Sequence, residues 1–222
     1  MIGYNKQDSL KATDRSFSKS YVPGRGLDQT SGVSYPANYS QNGVTTNPLS
    51  ASNCDGPNLV ARQGVCRYNT RTYLDLLPET EKTSFFGRAT GKITDDDNVN
   101  LEYFWARNNN SVNIAPANLV GVTLDPTSPY FPGNGITPGS TSASFDPSQP
   151  VGLNWRETAA GGRSTKDQNT SQRVVLSFDG VAKGWDYNLG ASYNQNQVTE
   201  SLTGGFVSDS AMLDGISNGI IN

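Results

Sequence analysis

The chain has 222 residues, of which 34% are hydrophobic, and its 17 lysine and arginine residues against 20 acidic residues give a net charge of -3. A sequence pI near 4.9 argues against a nucleic-acid-binding surface, which needs clustered positive charge. No stretch approaches the roughly 18 uninterrupted apolar residues of a membrane helix. The sequence contains no histidine, which excludes the common catalytic triads and most metal sites.

The first predicted strand covers residues 2–15, where Ile2, Tyr4, Asn5, Gln7 and Ser9 precede a charged run. The N-terminus lacks the charged segment and the apolar segment of a secretory signal. We therefore expect either a cytoplasmic protein or a piece cut from a longer chain.

Residues 16–81 are predicted to form a long loop, because runs such as Val22–Gly26 are rich in glycine and proline and show no periodicity. Cys54 and Cys66 lie in this loop with eleven residues between them. A disulfide that closes so short a loop is worth about 3 kcal/mol in the chain-entropy model and indicates an oxidising compartment. The competing hypothesis is a zinc site, but two cysteines without histidine lack the usual four ligands.

Arginine and tyrosine side chains cluster beside the two cysteines in the same loop. Both residue types suit anionic or sugar ligands, so the cluster is a candidate ligand site of an extracellular loop. The alternative is a solvated loop of ordinary composition. The candidates are Arg62, Arg67, Tyr68, Arg71 and Tyr73.

A predicted hairpin follows, with strands near 82–94 and 98–112 in which apolar and polar residues alternate. Asp95–Asp97 separates the strands, and we interpret this run as a solvated turn because it lacks the spacing and the glycine of a calcium loop. On the polar face, Lys92 and Glu102 are predicted to lie near enough for a cross-strand ion pair.

A second long loop, residues 111–169, leads to a second hairpin with strands near 169–181 and 184–201. Alternation with period two indicates a sheet with two unlike faces. These faces meet either a soluble core and water or lipid and a wet lumen. The apolar row forms a predicted lipid-facing belt, which consists of Phe85, Leu101, Tyr103, Trp105, Leu176, Phe178, Trp185, Tyr187, Leu189 and Tyr193.

Strand length and aromatic spacing favour the membrane. The arms run 10–13 residues, whereas soluble strands cluster near five or six and a tilted strand crosses a bilayer in about 9–11. Tyr193 lies eight positions after Trp185, a rise of about 20 Å at a tilt of roughly 40°, close to the spacing of the two aromatic girdles of a membrane barrel. The sequence thus predicts an all-β fold: an antiparallel up-and-down meander of about five long strands, an open segment of a larger transmembrane β-barrel with long extracellular loops.

Two further segments carry a family likeness. Ser128–Gly133 is similar to the Asn-Pro-aromatic-aromatic-Pro turn in extracellular loops of TonB-dependent outer-membrane receptors. Leu77–Ala89 followed by Thr94–Asp96 looks like the entry of these receptors into a descending strand and periplasmic turn. The resemblance covers essentially the whole chain. It implies uptake of a scarce solute, such as an iron-siderophore complex or an oligosaccharide, across the outer membrane of a Gram-negative bacterium.

The chain also departs from that family. Nothing matches its TonB box or its plug domain, the last residues are Gly219–Asn222 where the family usually ends in an aromatic residue, and five strands cannot close a barrel. We therefore expect an interior barrel fragment without a plug. The implied partners are outer-membrane lipid, the remaining barrel and plug, a TonB-type energy transducer acting through the missing N-terminal part, and a small-molecule ligand, with no nucleic acid.

No catalytic constellation is found, so we expect no enzyme, no cofactor and no metal site. The alternative function is a secreted or surface β-sandwich that binds carbohydrate or mediates adhesion. In that fold, a second sheet would have to bury Trp105, Trp185 and Tyr187, whereas a barrel segment would leave them on one exposed belt.

Overall fold

The computed structural model describes residues 1–221 and is mostly β, with 52% of the chain in strands and one short helix. Within these residues the strands are β1 (Ile2–Gln7), β2 (Leu10–Lys11), β3 (Tyr21–Val22), β4 (Leu27–Asp28), β5 (Asn38–Gln41), β6 (Val44–Thr46), β7 (Leu59–Arg62), β8 (Val65–Tyr68), β9 (Asp75–Leu77), β10 (Glu79–Lys92), β11 (Asn98–Ile114), β12 (Asn118–Leu124), β13 (Val151–Arg156), β14 (Arg163–Ala182) and β15 (Trp185–Gly204), followed by helix α1 (Asp209–Ser217).

The chain divides into two units. The sheet unit comprises Met1–Leu10, Leu77–Val112 and Thr165–Leu202, and the loop unit comprises Lys11–Leu76, Asn113–Ser164 and the residues from Thr203 onward. No helix in the described residues is both long and apolar enough to cross a membrane.

The sheet unit is built on one five-stranded antiparallel sheet in the order β1-β10-β11-β14-β15. This order follows the chain and confirms the predicted all-β class and up-and-down meander. The sheet is open, with β1 and β15 at its two edges.

The observed strand bounds differ from the expected ones chiefly at the first strand. We expected residues 2–15, but β1 ends at Gln7, which pairs with Thr80. Because β10 begins at Glu79, the chain leaves the five-stranded sheet beyond this point, and Leu10–Lys11 pair with β9 in a separate two-stranded sheet. Residues 12–14 and 16–18 form 3-10 turns instead.

The two turns that join the long strands are tight. Between β10 and β11, the hydroxyl of Thr94 donates to the Asp97 carboxylate over 2.6 Å, and the Asp97 amide donates back to that hydroxyl. Between β14 and β15, Lys183 and Gly184 have φ angles of 52° and 80°. Positive φ at both central residues is typical of a two-residue hairpin turn whose twist matches the strands.

The predicted loops 16–81 and 111–169 are not structureless, because both contribute short strands to the loop unit. A four-stranded sheet with the order β12-β13-β5-β6 combines strands from both segments. Its hydrophobic core includes Tyr39, Leu119, Val151 and Trp155, and α1 adds Met212 and Ile216. Strands of three to seven residues carry few alternating positions, and β12 is interrupted by a register shift between Val120 and Val122, so alternation gives little signal here.

The predicted disulfide between Cys54 and Cys66 is present, with 5.4 Å between the two Cα atoms. Cys66 lies on β8 and is fully buried. The backbone carbonyl of Cys66 accepts a hydrogen bond from the Asn38 amide at 2.9 Å. The disulfide therefore anchors the segment before the β7-β8 hairpin to the interior of the loop unit.

We expect replacement of both Cys54 and Cys66 by serine to lower the free energy of unfolding of the loop unit by about 3 kcal/mol, since the unfolded chain then regains the freedom of the closed loop. Urea unfolding of the full chain carrying Trp105→Phe and Trp185→Phe, followed by the fluorescence of Trp155 in the loop unit, measures this loss. The exposed neighbour Asp55→Ser is the matched control and should leave the midpoint unchanged. An unchanged midpoint in the double variant would contradict the prediction.

Candidate functional site

The ten belt residues lie on the sheet unit, four of them on the β10-β11 hairpin and six on the β14-β15 hairpin. The register of the first hairpin places its four members on one face. Phe85 pairs with Trp105, Gly87 with Tyr103 and Ala89 with Leu101. The rings of Phe85 and Tyr103 lie 6.0 Å apart. Eight of the ten side chains are exposed, while Trp105 and Phe178 are half-buried. The exposed ones are Phe85, Leu101, Tyr103, Leu176, Trp185, Tyr187, Leu189 and Tyr193.

The opposite face of the same sheet carries a hydrogen-bonded polar cluster centred on Asn100, which is only 8% exposed. Its side-chain oxygen accepts hydrogen bonds from Arg88 at 3.0 Å and from Thr90 at 2.8 Å. Its amide donates to the Asp179 carboxylate at 2.8 Å, and Asn98 donates to the other oxygen of that carboxylate. This cluster joins three neighbouring strands through side chains.

The expected ion pair between Lys92 and Glu102 is not formed. Lys92 lies opposite Asn98, and Glu102 lies opposite Arg88. The Arg88 Nε atom is 3.7 Å from the Glu102 carboxylate. The prediction placed both residues on the same face and near enough to pair. The observed register instead sets Glu102 four positions away from Asn98, the partner of Lys92.

The predicted arginine and tyrosine ligand site lies in the loop unit, around the β7-β8 hairpin. Arg62 donates to Asp28 at 2.9 Å and to the Tyr21 hydroxyl at 3.2 Å. Arg67 donates to the hydroxyl of Thr30 at 2.8 Å. The guanidinium groups are therefore directed at other groups of the same chain.

The remaining members of that cluster are also engaged within the chain. Arg71 donates to the hydroxyl of Ser18 and to the backbone carbonyls of Thr13 and Arg15. The hydroxyls of Tyr68 and Tyr73 lie 3.2 Å apart. Burial, together with the hydrogen bond between the Tyr68 and Tyr73 hydroxyls, raises the pKa of Tyr68 to about 12. The five residues are brought into one region where they brace the fold, and their binding of a ligand stays a prediction.

Asp28 is the carboxylate on which this bracing converges. It accepts hydrogen bonds from the hydroxyl and the amide of Thr30, and it pairs with Arg62 and, at 3.9 Å, with Arg67. The two bonds from Thr30 contribute most to lowering its pKa to about 2, and the bond from Arg62 contributes less. Hydrogen bonds to the ionised form favour that form.

Arg156 is a buried cation that the sequence analysis did not single out. Its three nitrogen atoms donate to the Val33 carbonyl at 3.1 Å, the Pro116 carbonyl at 2.8 Å and the Ser31 hydroxyl at 2.9 Å. Burial lowers the pKa of its guanidinium. Because neutral oxygens take up its donors, this arginine links separate segments of the loop unit.

The loop unit also contains an apolar cavity of about 250 Å³. Its lining includes the buried residues Tyr39, Leu124, Trp155 and Ile216. Two exposed lining residues, Tyr35 and Ile136, open it to solvent. No charged side chain is among the lining residues that the structure describes.

No protein-family model, curated protein or solved structure matches the chain. Within residues 1–221, no group of three or more histidine, cysteine or acidic residues is arranged to hold a metal ion. The function must be inferred from the two faces of the sheet and from the cavity.

We expect Thr30→Val to raise the pKa of Asp28 from about 2 toward its ordinary value of 3.8, because valine keeps the backbone bond but removes the hydroxyl bond. Arg62→Gln should raise it less. The stabilisation linked to this lowered pKa is present above pH 4 and is lost as the pH falls toward 2. Carbon-13 NMR titration of the Asp28 carboxyl measures both shifts, and a larger effect of Arg62→Gln would contradict the stated order.

We expect Asn100→Ala to cost about 1–3 kcal/mol of unfolding free energy, because it leaves Asp179, Arg88 and Thr90 without their shared partner. Urea unfolding of the full chain measures the loss. Asn194→Ala is the matched control, since the exposed Asn194 amide donates only to Ser192, at 3.4 Å. Equal midpoints for the two variants would show that the cluster contributes no stability.

Proposed function

We propose that this chain is a segment of the barrel of a TonB-dependent outer-membrane receptor that imports a scarce solute. The observation that carries the proposal is the exposed aromatic and aliphatic belt on one face of a sheet whose opposite face holds the hydrogen-bonded cluster around Asn100. A barrel wall has this arrangement because its outer face meets lipid and its inner face meets a polar lumen.

Strand length supports the same proposal. β10, β11, β14 and β15 have 14, 17, 20 and 20 residues, whereas about 9–11 tilted residues cross a bilayer. Strands of this length cross the hydrocarbon layer and continue beyond it. Soluble strands rarely exceed about ten residues.

The connections between the strands of the meander differ greatly in length, which also supports the proposal. The two hairpin turns comprise five residues between Lys92 and Asn98 and two residues between Ala182 and Trp185, while the other connections of the sheet are far longer. Transmembrane barrels combine short turns at the periplasmic side with long extracellular loops. This asymmetry supports a periplasmic location for the two turns.

The open edges of the sheet define the partners of the proposed receptor. In lipid, the free backbone groups along β1 and β15 must be paired by further strands, so we expect the remaining barrel on both sides. The polar face would then line the lumen, toward a plug and a TonB-type transducer. The competing β-sandwich would need a second sheet on the belt, and the exposure of Trp185 and Leu189 favours the barrel over it.

We expect Leu189→Arg to destabilise the membrane-embedded protein by about 2–4 kcal/mol, because arginine is costly on the lipid face near the bilayer midplane. Asn188→Arg, one residue away on the polar face, should be nearly neutral. The two variants are compared in the gene product that carries this segment, by its amount in the outer-membrane fraction of a Gram-negative host and by urea unfolding from vesicles.

The comparison of adjacent positions controls for general effects of a new charge. Equal losses at positions 188 and 189 would contradict a lipid-facing belt. Recovery of the unmodified protein as a soluble monomer would do the same, since soluble monomers rarely expose an apolar patch beyond a few hundred Å².

A further inference from the structure

The cavity of the loop unit has a lining of flat, uncharged surfaces. Tyr39 and Trp155 are buried lining residues, and Tyr35 and Tyr130 contribute further rings. Four proline rings also line it, those of Pro36, Pro48, Pro132 and Pro138. Aromatic faces and proline rings pack well against planar apolar groups, whereas an ionised ligand would lose its hydration without gaining an opposite charge.

The lining carries four side-chain hydroxyls, those of Tyr35, Tyr39, Tyr130 and Thr137. The hydroxyl of Thr137 already donates to the Tyr130 carbonyl at 2.7 Å. Burial raises the pKa of the Tyr39 phenol, so that group stays neutral. A sugar, which carries a hydroxyl on most of its carbons, would leave many hydrogen bonds unmade in this lining.

The walls of the cavity are held in place by hydrogen bonds. The Gly133 amide donates to the Thr137 carbonyl at 3.0 Å, and the Asn134 amide donates to the carbonyls of Ser128 and Pro126. On the other side, Asn47 donates to the Pro36 carbonyl at 2.9 Å. A cavity whose walls are already ordered costs little further entropy when a ligand enters.

The volume indicates the size of the ring system that the cavity can enclose. A cavity of roughly 150 Å³ holds benzene, and pockets for drug-sized ligands begin at about 300 Å³. At about 250 Å³, the cavity of the loop unit fits a single aromatic ring or two fused rings.

We propose that this cavity binds an uncharged aromatic compound of one or two rings. The inference that this compound is the solute imported by the receptor rests on the proposed function. Binding of the compound to the cavity is measured without reference to the membrane. The charged arginines near Asp28 have no part in it, because the lining is uncharged.

The test uses nitrobenzene, an uncharged aromatic ring that quenches tryptophan fluorescence on contact. The full chain carries Trp105→Phe and Trp185→Phe and is kept in solution by an amphipathic polymer, so Trp155 is the sole reporter. Because Trp155 is buried, saturable quenching requires entry of the probe into the cavity. We expect saturation with nitrobenzene and an affinity at least 10-fold weaker for 4-nitrobenzoate, which differs by a negative charge.

Two matched variants locate the site. Ile136 lines the cavity and is 56% exposed, and Val120 belongs to the same unit, is 59% exposed and does not line it. We expect Ile136→Glu to weaken nitrobenzene binding at least 10-fold and Val120→Glu to change it less than 2-fold. Because both positions are exposed, neither change should prevent folding.

Displacement of bound nitrobenzene by other compounds, from the chain with its cavity lining unchanged, gives a second, independent measurement. Naphthalene should displace nitrobenzene, and glucose should not. Quenching that does not saturate, equal affinity for nitrobenzoate, displacement by glucose, or equal effects at positions 136 and 120 would each overturn the proposal. These outcomes are separate from the contrast between positions 188 and 189, which tests the receptor function alone.

Discussion

Side chains of a β-strand alternate between the two faces of the sheet, and the sheet unit depends on this constraint throughout its length. Once Gly87 pairs with Tyr103, the face of the sheet on which each remaining side chain of the hairpin lies is determined. A slip of one residue would move the partners of Asn100 to the apolar face and the belt to the polar one. The belt and the polar cluster are therefore two consequences of one register, and the proposed membrane topology depends on it.

The loop unit depends on a different interaction, because its strands are too short for alternation to define them. Three buried polar side chains, those of Ser34, Asn38 and Asn47, hydrogen-bond to one another and to backbone carbonyls. Asn38 alone joins the carbonyls of Gly32 and Cys66, and so links β5 to β8. Buried amides that are fully hydrogen-bonded specify one arrangement, since each alternative would leave a polar group unpaired.

The sequence predicts the long strands well because each repeats the period-two signal over many residues. Strands β5 and β6 lack that length, although Asn42-Gly43 between them, with φ angles of 52° and 76°, is a strong hairpin signal. Helix α1 also had a signal, in the Ser208 cap and in the spacing of Met212 and Ile216 on one buried face. The Arg88–Glu102 pair needed an exact register, which alternation alone does not give.

The cavity could not be predicted from local patterns, because its lining comes from segments more than 180 residues apart, from Tyr35 to Ile216. Residue type near the cysteines suggested an anionic or sugar ligand for the arginines and tyrosines, and that binding stays a prediction. In the folded chain, Arg62, Arg67 and Arg71 direct their donors to groups of the loop unit.

The use of these donors has a consequence for ligand choice. An anion that approaches this region competes with Asp28 and with backbone carbonyls for guanidinium groups that are already paired, and breaking such a pair leaves a charge poorly satisfied. An uncharged ring in the cavity displaces no such interaction and gains contact with Tyr39 and Trp155. These contacts of the guanidinium groups support the proposal that the cavity takes a neutral ligand.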